Sequence, residues 1–389
     1  MRRGALVLIL GSAILATGTD CKEVNAAASV ATLRDVAQAS GTLIGTAVRP
    51  WALSEPAYSS TLAREFNMVE PEDALKWETI HPQPDTYDFS QGDQVVDFAH
   101  RHGMKVRGHT LVWHQQNPKW LTEGKFTSSE LAEILEKHIK IVVGHYRGQI
   151  FAWDVVNEAF DEVHPGELRS TIWRDQPGIL LADKAGGLNR GPQASTAQAR
   201  SGPEVMSKDA GYAYTERCFR WAHEADPEAL LFYNEAEAEM VNRKSDAIYA
   251  MVRDFKERGV PIDGVGFQMH VANLHADVQL ISQNIKRFTA LGVQIHITEM
   301  DVALPVDGVG NATTEDLQRQ ADVYRQIANA CLSYRGCMAI QTWGFTDKYS
   351  WIGSHSKHKQ GAALLFDKDY RPKPAYEALR EALRSGSGR

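Results

Sequence analysis

Two short stretches of this chain place a glutamate directly behind an apolar run: Trp153-Asp154-Val155-Val156-Asn157-Glu158 and Ile297-Thr298-Glu299-Met300-Asp301. A third run ends Gln268-Met269-His270. One glutamate at a loop start is most simply a solvated side chain. Two, each set among Asn, Asp, His and Trp, suit a reaction that needs paired carboxyl groups. Cleavage of a glycosidic bond is such a reaction: one carboxyl protonates the leaving oxygen and the other attacks the anomeric carbon. In the retaining version the pair sits about 5–5.5 Å apart. Two negative charges at that distance repel, so one carboxyl is expected to keep its proton, and the pair titrates as a unit. The 14 histidines include no His-Glu-x-x-His and no Cys/His ligand spacing, so neither a metal nor another cofactor is expected.

Such chemistry needs a scaffold that brings the ends of distant apolar runs together. Strand-like runs at 43–47, 67–69, 105–111, 151–156, 230–233, 264–268, 294–298 and 338–342 alternate with helical segments. Eight buried runs in this rhythm predict an α/β fold, a single-domain (β/α)8 TIM barrel with catalysis at the C-terminal ends of its strands. The alternative, an open doubly wound sheet, lacks a glycine-rich nucleotide turn after the first run. Ser90 with Asp93, Thr127 with Glu130 and Thr313 with Asp316 read as helix starts, and Gly103 as a helix stop. Residues 178–208 contain no aromatic residue and follow the strand carrying Glu158, so they read as a loop inserted on the functional face.

With 43% hydrophobic residues among 389, the chain can build a sizeable core. Its net charge of -7 comes with no basic patch, so no nucleic-acid partner is expected. Arg2 and Arg3 precede an apolar stretch, Ala5 to Leu15, that is too short to span a bilayer needing about 20 residues. Together with Ala26-Ala27-Ala28 it predicts a signal peptide over 1–28, a mature domain over 29–384 and a flexible tail over 385–389. A secreted or periplasmic monomer, off the membrane in its mature form, follows. Asp20 sits where a small residue should precede a lipidated Cys21. Export makes a Cys331–Cys337 disulfide plausible, with two buried thiols as the alternative, while Cys218 reads as a core thiol.

Five motifs carry a resemblance: Pro71-Glu72-Asp73-Ala74-Leu75-Lys76-Trp77, Arg107 to His114, Trp153 to Glu158, Thr298 to Asp301, and Trp343-Gly344-Phe345-Thr346-Asp347. In order and over nearly the whole mature chain, they resemble glycoside hydrolase family 10, the xylanase family. The resemblance implies endo-acting, retaining hydrolysis of β-1,4-xylan and xylo-oligosaccharides, with Glu158 as acid/base and Glu299 as nucleophile. It implies that His270 hydrogen-bonds Glu299 with Asp301 behind it, and that Asn157 binds the sugar 2-hydroxyl. Gln268 is assigned to the leaving-group side. Glu72, Asp73, Lys76, His109, Trp113 and Gln116 match positions that grip the sugar beyond the scissile bond on its non-reducing side. Trp343 and Trp351 would pack on pyranose C–H faces, and a tryptophan near C5 favours xylose over glucose.

Three departures lie near the expected cleft. Asp73 stands where the family has Asn, which removes one hydrogen-bond donor. Asn234-Glu235-Ala236-Glu237 replaces Asn-Asp-Tyr-Asn, and the third departure is the 178–208 insertion. A related β-1,4-glycanase or an exo-acting hydrolase of xylo-oligosaccharides stays open as an alternative. So do a catalytically silent glycan-binding protein, which would have no need of apposed carboxyls, and a metallohydrolase.

Overall fold

Eight parallel strands close on themselves. They are β1 (Leu43–Val48), β2 (Met68–Pro71), β3 (Lys105–Gly108), β4 (Ala152–Asn157), β5 (Leu230–Glu235), β6 (Gly264–Phe267), β7 (Gln294–Val302) and β8 (Cys337–Thr342). Each pairs with its neighbour in sequence, and β8 returns to β1 through Leu43 opposite Ala339 and Thr46 opposite Thr342. The computed structural model describes residues 31–174 and 212–386. The expected signal peptide, the insertion at 178–208 and residues 387–389 lie outside them. Helices fill the connections, giving the expected (β/α)8 barrel. Among the described residues no helix is long and apolar enough to cross a membrane.

Alternation along each strand sorts side chains between barrel interior and helix layer. On β7, Ile295 and Ile297 belong to the apolar core cluster, whereas His296 and Thr298 face polar partners inside the barrel. On β5 the same split separates Tyr233 from Asn234. Gly266 on β6 is required by this packing, because a Cβ there would meet Asn234 Oδ1 at 2.1 Å. The upper interior is therefore polar, and that polarity supports the strand ends above it.

Helix Ser128–His145 starts with the expected capping box of Thr127 and Glu130, and Thr313 accepts the Asp316 N–H at the start of helix Thr314–Leu332. Ser90 is not a cap. It is the first residue of helix Ser90–Arg101, and Asp88 accepts its N–H at 3.0 Å. Gly103 follows that helix in the left-handed region, at φ 60°. β3 stops at Gly108, short of the expected Leu111, and pairing with β4 resumes where Leu111 N–H donates to the carbonyl of Asp154 and Val112 bridges Val156. The C-terminal helix Pro374–Ser385 reaches one residue into the expected tail. It packs near helix Leu33–Ser40, and buried Glu65 ties the two by accepting from Leu33 N (3.1 Å) and Tyr376 Oη (2.9 Å). Cys331, at the end of helix Thr314–Leu332, and Cys337, at the start of β8, bring their sulfurs to disulfide distance with Cα atoms 5.3 Å apart, and Cys218 is a buried free thiol.

Candidate active site

β4 ends at Asn157, and Glu158 turns out of the strand with a left-handed φ of 54°. A non-glycine residue in that region needs external support. Here the Glu158 N–H donates to the Asn234 carbonyl (3.0 Å) and Arg169 Nε donates to the Glu158 carbonyl (3.2 Å). The Glu158 carboxylate receives Trp113 Nε1 on one oxygen (2.8 Å) and Gln268 Nε2 (2.9 Å) and Asn157 Nδ2 (3.2 Å) on the other. On β7, Glu299 receives Asn234 Nδ2 on Oε1 (2.7 Å) and faces His270 Nε2 with Oε2 (3.2 Å). The same Asn234 amide also donates to Asn157 Oδ1 at 2.8 Å. Asn157 and Asn234 thus connect the two glutamates in one hydrogen-bonded array. Both carboxylates are largely buried, at 9% and 4% exposure, on the face where the strand ends converge.

His270 lies between two acids, with Nδ1 3.0 Å from Asp301 Oδ2. Burial works against its charge, but the Asp301 and Glu299 carboxylates outweigh burial and hold its pKa well above the usual imidazole range. With both ring nitrogens protonated, His270 donates to both acids. Met269, beside it, also takes a left-handed φ of 67°, fixed by its N–H donating to buried Glu239 at 2.8 Å. Trp351 donates its indole N–H to Asp301 at 2.8 Å, which fixes its ring edge-on to His270 with centroids 5.2 Å apart.

A second group lines the same face beyond Trp113. Lys76 Nζ lies 3.0 Å from Asp73 Oδ1 and 4.8 Å and 5.6 Å from the ring centroids of Trp113 and Trp343. Gln116 donates to the same Asp73 oxygen at 3.2 Å. Burial opposes ionisation of Asp73, but the Lys76 charge and these hydrogen bonds prevail and keep its pKa below the usual value. Glu72 is held by Nε and Nη2 of Arg49, each at 2.7 Å, a partner the motifs did not suggest. His109 turns its Nδ1 inward to Asp154 (3.0 Å), while its ring meets Trp343 edge-on at 5.2 Å. The structure thus brings every expected site residue to one face. Trp153, Trp173 and Trp221 are core residues.

The model of the glycosyl hydrolase family 10 matches residues 32–185 and 188–382. The chain belongs to this family. It is 41% identical over 334 residues to an endo-1,4-beta-xylanase B of Thermotoga neapolitana, covering 86% of this chain and 85% of the relative. The crystal structure of native xylanase 10B from Thermotoga maritima superposes with a TM-score of 0.79 at 41% identity, covering 92% of this chain and 99% of that one. Xylanase 10B from Thermotoga petrophila in complex with xylobiose gives the same TM-score at 40% identity, with 92% and 98% coverage.

Within this family-10 barrel, sequence reasoning missed the layer beneath the glutamates. Arg107, Asp154, Glu70 and His296 are all fully buried. Arg107 clasps Asp154 with two nitrogens, lies 3.7 Å from Glu70 and donates to His296 Nδ1 at 2.9 Å. Burial, with Asp154 and Glu299 nearby, holds the Glu70 carboxyl well above the usual range against the pull of Arg107. Burial and Arg107 push His296 far down, so it accepts as a neutral ring. Glu70, His109 and Glu299 bring ligand atoms within 4.8 Å of one another, the one such trio found among the described residues. Arg107 already supplies positive charge at that point. The only sequence signal for this layer was polar residues at inward positions of apolar strands. Glu235, one of the departures, is buried against Lys244 Nζ at 2.9 Å and accepts the Phe160 N–H at 3.2 Å, bracing the segment behind Glu158. Burial and the nearby Glu158 push its pKa up to about 7 although Lys244 opposes them.

Proposed function

We propose that this family-10 enzyme is a retaining endo-1,4-β-xylanase that cleaves internal bonds of xylan and xylo-oligosaccharides. The observation that carries the reading is the hydrogen-bonded array running from Glu158 through Asn157 and Asn234 to Glu299, at the ends of β4 and β7. Glu158 gives its proton to the glycosidic oxygen as Glu299 attacks the anomeric carbon. The sugar–oxygen bond breaks and a glycosyl ester forms on Glu299. Glu158, having given up its proton in the first step, now serves as the base. It takes a proton from water, the water oxygen displaces Glu299, and the configuration is retained. His270, with Asp301 and Trp351 behind it, orients Glu299. Asn157 is placed to meet the 2-hydroxyl, a contact that strengthens in the transition state. Gln268 serves the leaving-group side, and Lys76, Asp73, Glu72, His109 and Gln116 grip the next sugar on the non-reducing side. No step calls on a cofactor.

The N-terminal signal pattern and the paired Cys331 and Cys337 support an exported protein with one disulfide. We propose a mature monomer spanning 29–384, with 178–208 inserted on its substrate face. The test is product analysis on xylan, cellulose and mixed-linkage glucan in the presence of a chelator. Wild type should release xylo-oligosaccharides of mixed length, and both Glu158→Ala and Glu299→Ala should lose most activity. Azide should yield a β-configured adduct with Glu158→Ala and an α-configured one with Glu299→Ala. Full xylan turnover by Glu299→Ala would falsify the assignment.

A further inference from the structure

Trp51 is 54% exposed, and among the described large apolar side chains only Val163 and Val309 share such exposure. It sits in the turn Pro50–Ser54 directly after β1, at the C-terminal end of the barrel, on the face of Glu158 and Glu299. The ring is held in place rather than loose. It stands edge-on to Tyr349 with centroids 4.9 Å apart, and Tyr349 Oη donates to Glu55 at 2.6 Å, as does Lys348 Nζ at 2.7 Å. From Glu158 a row of contacts leads outward to it. Trp113 donates to Glu158, Lys76 lies over Trp113 and bonds Asp73, and neighbouring Glu72 pairs with Arg49, whose guanidinium is 6.0 Å from the Trp51 ring. A fixed, water-exposed aromatic face framed by Arg49, Glu55 and Lys348 has the chemistry to take a pyranose, with C–H groups on the ring and hydroxyls on the charges.

We propose that Trp51, with Arg49 beside it, forms an outer xylose-binding site on the non-reducing side, beyond the sugar gripped by Glu72, Asp73 and Lys76. Its occupant is the xylan chain already threaded through the cleft, so the proposal rests on the xylanase reading. The site favours long chains and holds them in register for cleavage in their interior.

Aryl β-glycosides carrying two, three and four xylose units test this directly. In wild type, kcat/KM rises with the added units. Trp51→Ala should remove that rise, lowering kcat/KM on the four-xylose substrate about tenfold, equivalent to about 1.4 kcal/mol, mainly through KM. Trp51→Phe should keep most of the rise. An equal loss on all three substrates, or no rise with length in wild type, overturns the outer site. So does a change from dimer to monomer with Trp51→Ala, which would make the ring a contact with a second copy. If wild type fails to cleave even the two-xylose glycoside, the activity reading is what fails. Calorimetric titration with xylohexaose then still tests the outer site, through a weaker Kd in Trp51→Ala or an unchanged one that refutes it.

Discussion

Replacing His270 with glutamine probes the nucleophile's surroundings most directly. The substitution removes a cation from between Glu299 (3.2 Å) and Asp301 (3.0 Å). Asp301, 1% exposed, keeps Trp351 Nε1, and Glu299, 4% exposed, keeps Asn234 Nδ2. A hydrogen bond to a charged group contributes about 1.5–3 kcal/mol. If the Glu299 contact is felt in full at the transition state, its loss lowers kcat/KM by about 10- to 150-fold. Breaking this partly buried charge pair also destabilises the fold, by less than the about 3–5 kcal/mol of a fully buried one. That penalty depends on pH with a definite sign. The folded pKa of His270 is raised, so its stabilising contribution is complete below the unfolded value of about 6.5. As pH rises from there, the unfolded state loses its proton first, and the contribution fades until the raised folded pKa is passed. Urea unfolding of wild type and His270→Gln between about pH 6 and pH 10 should show the gap narrowing with pH, while initial rates on xylan give the kinetic term. A gap that widens with pH, or a rate loss under about threefold, would refute the reasoning.

Three further predictions follow from other contacts. Trp113→Phe deletes the 2.8 Å donor to Glu158 but leaves Gln268 and Asn157, so we expect about a tenfold fall in kcat/KM with little change in melting temperature; unchanged kinetics would count against the contact. Glu70→Gln replaces a buried acid whose folded pKa is raised, so the variant should gain stability over wild type as pH rises above about 4.3; a constant difference across that range in denaturant titrations would contradict this. Changing both Cys331 and Cys337 to serine opens a loop of sequence separation 6 and should cost about 2 kcal/mol, read as a fall in melting temperature that reducing agent reproduces in wild type.

The expected strand ranges agree with the observed ones to within a few residues, because each barrel strand is buried on both faces and reads as an apolar run between breakers. The exceptions have local causes. β3 ends at Gly108 because its pairing with β4 is interrupted at His109-Thr110 before resuming at Leu111 and Val112, and β7 continues to Val302 where its far end still pairs with β8 and with His270-Val271. The cap at Ser90 failed because Asp88, two residues upstream, meets the first free N–H instead. Asn234 was read only as part of an altered motif, yet its amide reaches both Asn157 and Glu299, and Glu239 gave no signal at all.

From the residues alone came the barrel and the two glutamates, since these depend on periodicity and on residue types next to strand ends, while the histidine between acids came only through the family resemblance. The tertiary structure decided which partner each side chain meets. Glu72 answers to Arg49, Trp113 to Glu158, and Trp351 to Asp301. It also decided that Arg107, Asp154 and Glu70 share one buried interior. The reason is that closing a barrel joins residues far apart in the chain, such as Arg107 and His296, and electrostatics at such distances depends on position and burial rather than on order along the chain.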